Sequence, residues 1–272
     1  MVSSTPRAAV RLFVYLALTF PLMPVQALLL ALKSDFARRL PTIYHRLVCR
    51  VFAIDLDVHG TVSTVHPTLF ICNHVSYLDI EALGAVIEGS FVAKREVSRW
   101  PLFGWLAKLQ RTVFVERRAT SVADERDGLA QRLAAGDSLI LFAEGTSGDG
   151  NRVRPFKSAL FSVAEPTVNG QALTVQPVSV AYTRLDGMPI GRQWRPFFAW
   201  YGAMDLAPHL WHLLGLGRMT VTLVFHPTTT LAEAGSRKAL ALSCQQVIAR
   251  GLEAANSGRM AHAAAAQARA AE

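Results

Sequence analysis

Apolar residues run unbroken by charge from Leu12 to Leu32, with Arg7 and Arg11 before them and Lys33 after them. As one straight helix this stretch would be ~31 Å long, enough to cross the hydrocarbon core of a bilayer. Pro21 and Pro24 lie in its middle. Each removes a backbone donor and disfavours helix at the residue before it, so the pattern predicts two short apolar arms in a re-entrant or surface-lying helical hairpin. Basic residues flank both ends, so charge does not send them to opposite sides of a membrane. A single spanning helix kinked at the prolines is a competing reading, as is a signal peptide with its small-residue site at Val25-Gln26-Ala27.

Beyond the hairpin, Phe36, Leu40, Ile43, Leu47, Val48 and Val51 recur at helical spacing, in an amphipathic helix expected to be interrupted at Pro41. Short apolar or alternating runs then predict strands at Leu56 to Val58, Thr68 to Cys72, Ser90 to Ala93, Thr112 to Val115, Ser138 to Phe142, Leu173 to Ala181 and Met219 to Phe225. Helical patterns fall between them at 79–87, 98–109 and 121–135, the last stopped by Gly136, and a late helix covers about 231–252. Strands alternating with helices imply an α/β domain whose sheet is covered on its faces. No repeat or long linker divides the chain. The expected organisation is a hydrophobic hairpin over 1–35, one domain over 36–253 and an Ala-rich tail over 254–272.

Composition sharpens this picture. Of 272 residues only 18% are charged while 51% are hydrophobic, which excludes a disordered chain and points towards membrane association. The net charge is +8. Its densest stretch holds Lys94, Arg95, Arg99, Lys108, Arg111, Arg117, Arg118 and Arg126, interleaved with Trp100, Leu102, Phe103 and Trp105. Such interleaving suits an interface-seeking segment, so anionic lipid or an anionic substrate is expected as partner rather than nucleic acid. Cys49, Cys72 and Cys244 are odd in number and widely spaced, which speaks for a reducing cytosolic setting and against a zinc site.

Chemistry concentrates in Phe70-Ile71-Cys72-Asn73-His74-Val75-Ser76-Tyr77-Leu78-Asp79, an apolar strand that delivers polar residues at its end. His74 and Asp79 are five residues apart, so within one α-helix they would diverge by about 140°. They meet only with His74 on the loop and Asp79 in the first turn of the following helix. There the carboxylate would hold the imidazole in one tautomer, leaving its other nitrogen to take a proton from a hydroxyl. The bland alternative is a loop histidine beside a first-turn acid. A second window, Ser138 to Gly150, is an apolar strand ending in Glu144 and a glycine-rich turn, followed by Arg152, Arg154 and Lys157. Backbone amides of such a turn can hold an anion or an oxyanion. His209 and His212 lack a third partner for a metal, and Cys72 at a strand end needs no special role.

Taken together these windows resemble the glycerolipid acyltransferases, the 1-acylglycerol-3-phosphate acyltransferase family. Asn73-His74 through Asp79 resembles its N-H-x-x-x-x-D motif, Phe142-Ala143-Glu144-Gly145-Thr146 its F-P-E-G-T motif, Val113 to Arg117 its substrate-binding block and Val175 to Val180 its apolar block. All four lie in the family's order within residues 70–180. The resemblance implies a mixed sheet flanked by helices and an acyl transfer from CoA or acyl carrier protein to a lysolipid hydroxyl, with no metal and no further cofactor. His74 and Asp79 would be catalytic. Asn73, Ser76, Arg117, Glu144, Gly145, Thr146, Arg152 and Lys157 would bind substrate, at the cytoplasmic face of the inner membrane.

Two positions depart from the family pattern. Ala143 replaces a proline, a change expected to alter only backbone stiffness, and Ser147 replaces an arginine that would anchor a phosphate. The segment Ala199 to Met204 with His209, Trp211 and His212, and the run Gly148 to Val153, resemble the lyso-ornithine-lipid branch instead. The acceptor implied is therefore a 1-acylglycerol-3-phosphate or, alternatively, a lyso-ornithine lipid with a zwitterionic head. A non-catalytic lipid-binding protein is the third reading.

Overall fold

In the computed structural model, which describes residues 3–115, 129, 132–165, 167–168 and 170–259, strand β2 (Thr68–Cys72) lies at the centre of the sheet. Its side chains alternate between two cores. Phe70 and Cys72 face a cluster containing Val48, Phe52, Leu78, Val180 and Leu223, while Leu69 and Ile71 face Leu139, Phe161, Leu240 and Ile248. A strand buried on both faces must be apolar throughout, as this one is. The other main strands are β1 (Ile54–His59), β3 (Ser90–Lys94), β4 (Val113–Val115), β5 (Leu139–Phe142), β6 (Thr174–Leu185) and β7 (Met219–Phe225). Their order is β1-β7-β6-β2-β5-β3-β4. β6 and β7 pair antiparallel and every other neighbouring pair on this path is parallel, so the sheet is mixed.

Helices α1 (Thr5–Ala31), α2 (Phe36–Val51) and α3 (Leu78–Gly84) cover the first core. α4 (Phe103–Leu109) packs on α1, and α5 (Leu206–Leu214) meets its amino-terminal half. The short α6 (Leu231–Ala234) opens with a capping box between Thr230 and Glu233, and α7 (Arg237–Asn256) closes the second core. The expected helix over 98–109 is shorter at its start, because Pro101 separates α4 from a 3-10 turn at Arg95–Arg99. Arg117 and most of the helix expected over 121–135 lie outside the described residues, as does the tail beyond 259.

The hairpin takes a different form from the one expected. α1 is continuous through Pro21 and Pro24, and the chain reverses at residues 32–35, where Lys33 takes a left-handed φ of 52°. α2 likewise continues through Pro41. Packing outweighs the prolines: Ala8, Tyr15, Thr19 and Gln26 form a buried stripe along α1, at spacings of seven, four and seven residues. Arg11 donates to the carbonyls of Leu214 and Leu216, and Gln26 donates to those of Ala37 and Leu109, so both halves are tied down. Lengthwise docking leaves the opposite side of α1 open. Phe13, Phe20 and Leu28 are more than half exposed there, and α1 is long and apolar enough to cross a membrane by length and composition.

Candidate active site

β2 ends at Cys72, and Asn73 extends its pairing by one residue without extending the strand. The Asn73 amide donates to the Val180 carbonyl at 3.0 Å and accepts from the Val180 N–H at 2.8 Å, copying a backbone ladder pair with a side chain. His74 then leaves the sheet on the loop and Asp79 is the second residue of α3, the arrangement anticipated from their spacing.

His74 Nδ1 lies 2.8 Å from Asp79 Oδ2. That oxygen also accepts from the N–H groups of Val75 (2.6 Å) and Ser76 (3.0 Å), and Oδ1 accepts from the Tyr182 hydroxyl (2.7 Å). Asp79 is wholly buried, and these contacts offset the desolvation of its carboxylate. Facing such an acceptor, Nδ1 carries the proton and Nε2 is the basic nitrogen. Among the described residues Nε2 makes no hydrogen bond, and the His74 side chain is 20% exposed. The ring stacks on Phe142 at 4.0 Å between centroids, which fixes its plane from the β5 side.

Glu144 braces this loop from behind. Its Oε1 accepts from the His74 N–H (2.7 Å) and its Oε2 from the Arg154 N–H (2.8 Å). Burial pushes its carboxyl up to about 7, opposed by those two backbone donors. Gly145 turns with φ +67°, a conformation suited to glycine, and a Cβ there would come within 2.8 Å of Lys157 Nζ. Thr146 is exposed on the same turn, and Gly148 N–H donates to the His74 carbonyl at 2.9 Å. Arg152, Arg154 and Lys157 are exposed beside it and make no ion pair among the described residues.

Apart from Arg117, which lies outside the described residues, the expected residues thus assemble around one loop, in two layers. His74, Thr146, Arg152 and Lys157 reach the surface, whereas Asn73 and Glu144 are buried with their side chains engaged by the backbone, and buried Ser76 donates its N–H to Asp79. Ala143 does more than alter stiffness: its N–H donates to the Cys72 carbonyl at 3.2 Å, a bond that proline cannot make. Cys72 is fully buried and desolvation raises its thiol pKa, so it is no nucleophile. His209 Nδ1 meets the Tyr77 hydroxyl at 3.0 Å. Sequence reasoning missed Tyr182, Phe142 as the stacking partner, and the contact of Trp200 with the loop, where its N–H donates to the Val75 carbonyl. Tyr182 was within reach, because it follows Val180 on the same face of one strand.

An open cavity lies near this loop, lined almost wholly by apolar atoms. Tyr15, Leu22 and Met23 of α1 form one wall, Leu40 and Tyr44 of α2 another, and Ile80 and Phe91 approach the dyad. Phe91 stacks on Phe142, so a single ring separates the cavity wall from His74.

A His–Asp pair at the end of a central strand, with one imidazole nitrogen open and an apolar cavity beside it, is equipped to take a proton from the hydroxyl of an apolar substrate. Residues 55–181 match the acyltransferase family. The chain is 43% identical over 247 residues to the lyso-ornithine lipid O-acyltransferase of Brucella abortus, covering 89% of this chain and 92% of that protein. Identity to the enzyme of the same name from Rhizobium meliloti is 38% over 247 residues, with 89% and 85% covered. The 1-acyl-sn-glycerol-3-phosphate acyltransferase of Neisseria meningitidis is 32% identical over 198 residues, with 72% and 73% covered. The crystal structure of the 1-acyl-sn-glycerophosphate (LPA) acyltransferase PlsC from Thermotoga maritima shares the fold, with a TM-score of 0.56, 20% identity and 79% and 78% of the chains covered. The chain belongs to the acyltransferase family and catalyses acyl transfer to a lysolipid.

Proposed function

We propose that the chain is a lyso-ornithine lipid O-acyltransferase that uses His74 as general base and a long-chain thioester of CoA or acyl carrier protein as donor. The observation that carries the chemistry is the buried Asp79 carboxylate on Nδ1 of an imidazole whose Nε2 is open. Nε2 takes the proton of the acceptor hydroxyl as its oxygen attacks the thioester carbonyl carbon. For the tetrahedral oxyanion the Gly145–Gly148 turn offers the N–H groups of Thr146 and Ser147, which have no partner among the described residues. The C–S bond then breaks and the imidazolium returns its proton to the thiolate. No metal or further cofactor is needed in this scheme, and the apolar cavity houses an acyl chain.

For the acceptor, support comes from the names of the 43% and 38% identical relatives and from Ser147. The Ser147 hydroxyl donates to the Trp200 carbonyl, so this position ties two segments together and presents no cation. A 1-acylglycerol-3-phosphate acceptor is the second reading, favoured by Arg152, Arg154 and Lys157 at the glycine turn, which make no ion pair among the described residues. Purified protein offered each acceptor with one thioester decides: product only from the phosphate acceptor overturns the ornithine reading.

The exposed side of α1 is proposed to lie in the cytoplasmic face of the inner membrane. A helix docked along its length on its own domain supports a monotopic arrangement over a spanning one. Phe13→Ser/Phe20→Ser/Leu28→Ser is expected to cut vesicle binding at least about tenfold in a flotation assay with the fold kept, since each apolar side chain contributes about 2 kcal/mol. Unchanged flotation would place the anchor elsewhere.

A further inference from the structure

Ser147 and Val75 together fasten the 194–204 segment beside the catalytic loop. Trp200 donates its N–H to the Val75 carbonyl at 3.0 Å and accepts the Ser147 hydroxyl on its own carbonyl, one residue from His74 on the first side. Its ring is thereby held in place. Tyr77 meets it at 5.9 Å and 67°, Trp100 at 5.9 Å and 86°, and its indole N–H donates to the Met204 carbonyl at 2.9 Å. Trp100 is 37% exposed and Trp200 is half-buried, so this aromatic wall is reachable from solvent. One residue past Met204, Asp205 is exposed and its carboxylate has no partner among the described residues. Arg152, Arg154 and Lys157 are exposed, with Lys157 against Gly145 and Arg154 against Gly148 of the glycine turn. The surface near the catalytic loop thus offers cations beside the glycine turn and aromatic rings with a carboxylate along residues 200–205.

We propose that Trp200, Tyr77 and Trp100 form the subsite for the ammonium group of the acceptor's amino-acid head, with Asp205 as counter-charge. This rests on the lyso-ornithine reading above. An ammonium ion is attracted by the face of an indole ring, most strongly where water is excluded, and a carboxylate at the rim adds steering. The head's carboxylate falls to the cationic side. In this view Ser147 contributes to specificity as a positioning residue: its hydroxyl places Trp200 where an arginine side chain would otherwise stand.

The test compares lyso-ornithine lipid with a matched lysolipid bearing a glycine head, which keeps the amide and carboxylate and lacks the ammonium. Both are assayed in detergent with one long-chain thioester, and the readout is the ratio of kcat/KM values. Wild type is expected to prefer the ornithine head at least about tenfold. Trp200→Leu should lower that ratio about tenfold, through KM, while Trp200→Phe retains most of it. Asp205→Asn, at an exposed site where folding is not at stake, should lower it about threefold. A wild type indifferent to the ammonium, or a ratio unmoved in both Trp200→Leu and Asp205→Asn, overturns the subsite. If Trp200→Leu does not fold, Trp200→Phe and Asp205→Asn decide. Wild type that acylates only 1-acylglycerol-3-phosphate overturns the lyso-ornithine reading itself.

Discussion

Helix α3 carries two carboxylates, Asp79 and Glu81, and each holds the Nδ1 of a histidine. The His74–Asp79 distance is 2.8 Å and the His45–Glu81 distance is 2.6 Å. Distance does not separate them; the opposite nitrogen does. His74 sits on a loop with Nε2 open to the site, whereas His45 sits inside α2, its Nε2 buried without a partner among the described residues and its ring pressed against Gly84. A Cβ on Gly84 would come within 2.4 Å of the His45 ring. The carboxylates differ as well. Asp79 receives further bonds from Val75, Ser76 and Tyr182, while Glu81 lies on the wall of the apolar cavity. A His–carboxylate pair becomes a base when a proton can reach it, and a packing element when none can.

Four substitutions break or sharpen this contrast. His74→Ala should lower kcat/KM about a thousandfold with the fold unchanged, which steady-state assays with a melting curve would measure, and activity within tenfold of wild type refutes the assignment. Glu144 supports only the first pair, and its carboxyl is raised to about 7 from 4.5. As pH rises between those values the unfolded chain releases this proton first, so the contribution is complete below pH 4.5 and lost above about 7. The stability of wild type relative to Glu144→Gln should therefore fall by up to about 3 kcal/mol from pH 4 to pH 8 in denaturant titrations. His45→Ala should cost about 2 kcal/mol in the same titrations, leaving activity of the folded enzyme within about threefold. A large loss of turnover without loss of stability would make the second pair chemical after all. Tyr182→Phe removes one of Asp79's donors and should lower kcat about fivefold, the smallest of these effects.

Much of this was legible beforehand, for local reasons. Thr68–Cys72 and Met219–Phe225 emerge at the expected bounds because the first is a nearly continuous apolar run and the second opens with Thr alternating between apolar residues. His74 and Asp79 were placed by strand-then-helix logic that needs only local sequence. The course of α1 was not legible. Two prolines predict a break, and what overrides them is packing of the stripe together with contacts to residues distant in the chain, Gln26 with Leu109 and Arg11 with Leu214. The same holds for Trp200 and Tyr182, brought to the loop by contacts spanning more than 50 residues. Glu144 was found, but its depth was not: a motif gives the residue, and only packing tells whether it meets substrate or backbone.

Because α1 lies lengthwise, one helix separates the apolar cavity from the outside: Tyr15, Leu22 and Met23 face inward while Phe13, Phe20 and Leu28 face out. Moving an acyl chain of a dozen or more methylenes through water costs roughly 10 kcal/mol, at about 0.8 kcal/mol for each. With the exposed side of α1 in the bilayer, as proposed, that passage would shorten to a helix's width. Substrate exchange would then become lateral diffusion along an apolar edge rather than extraction into water.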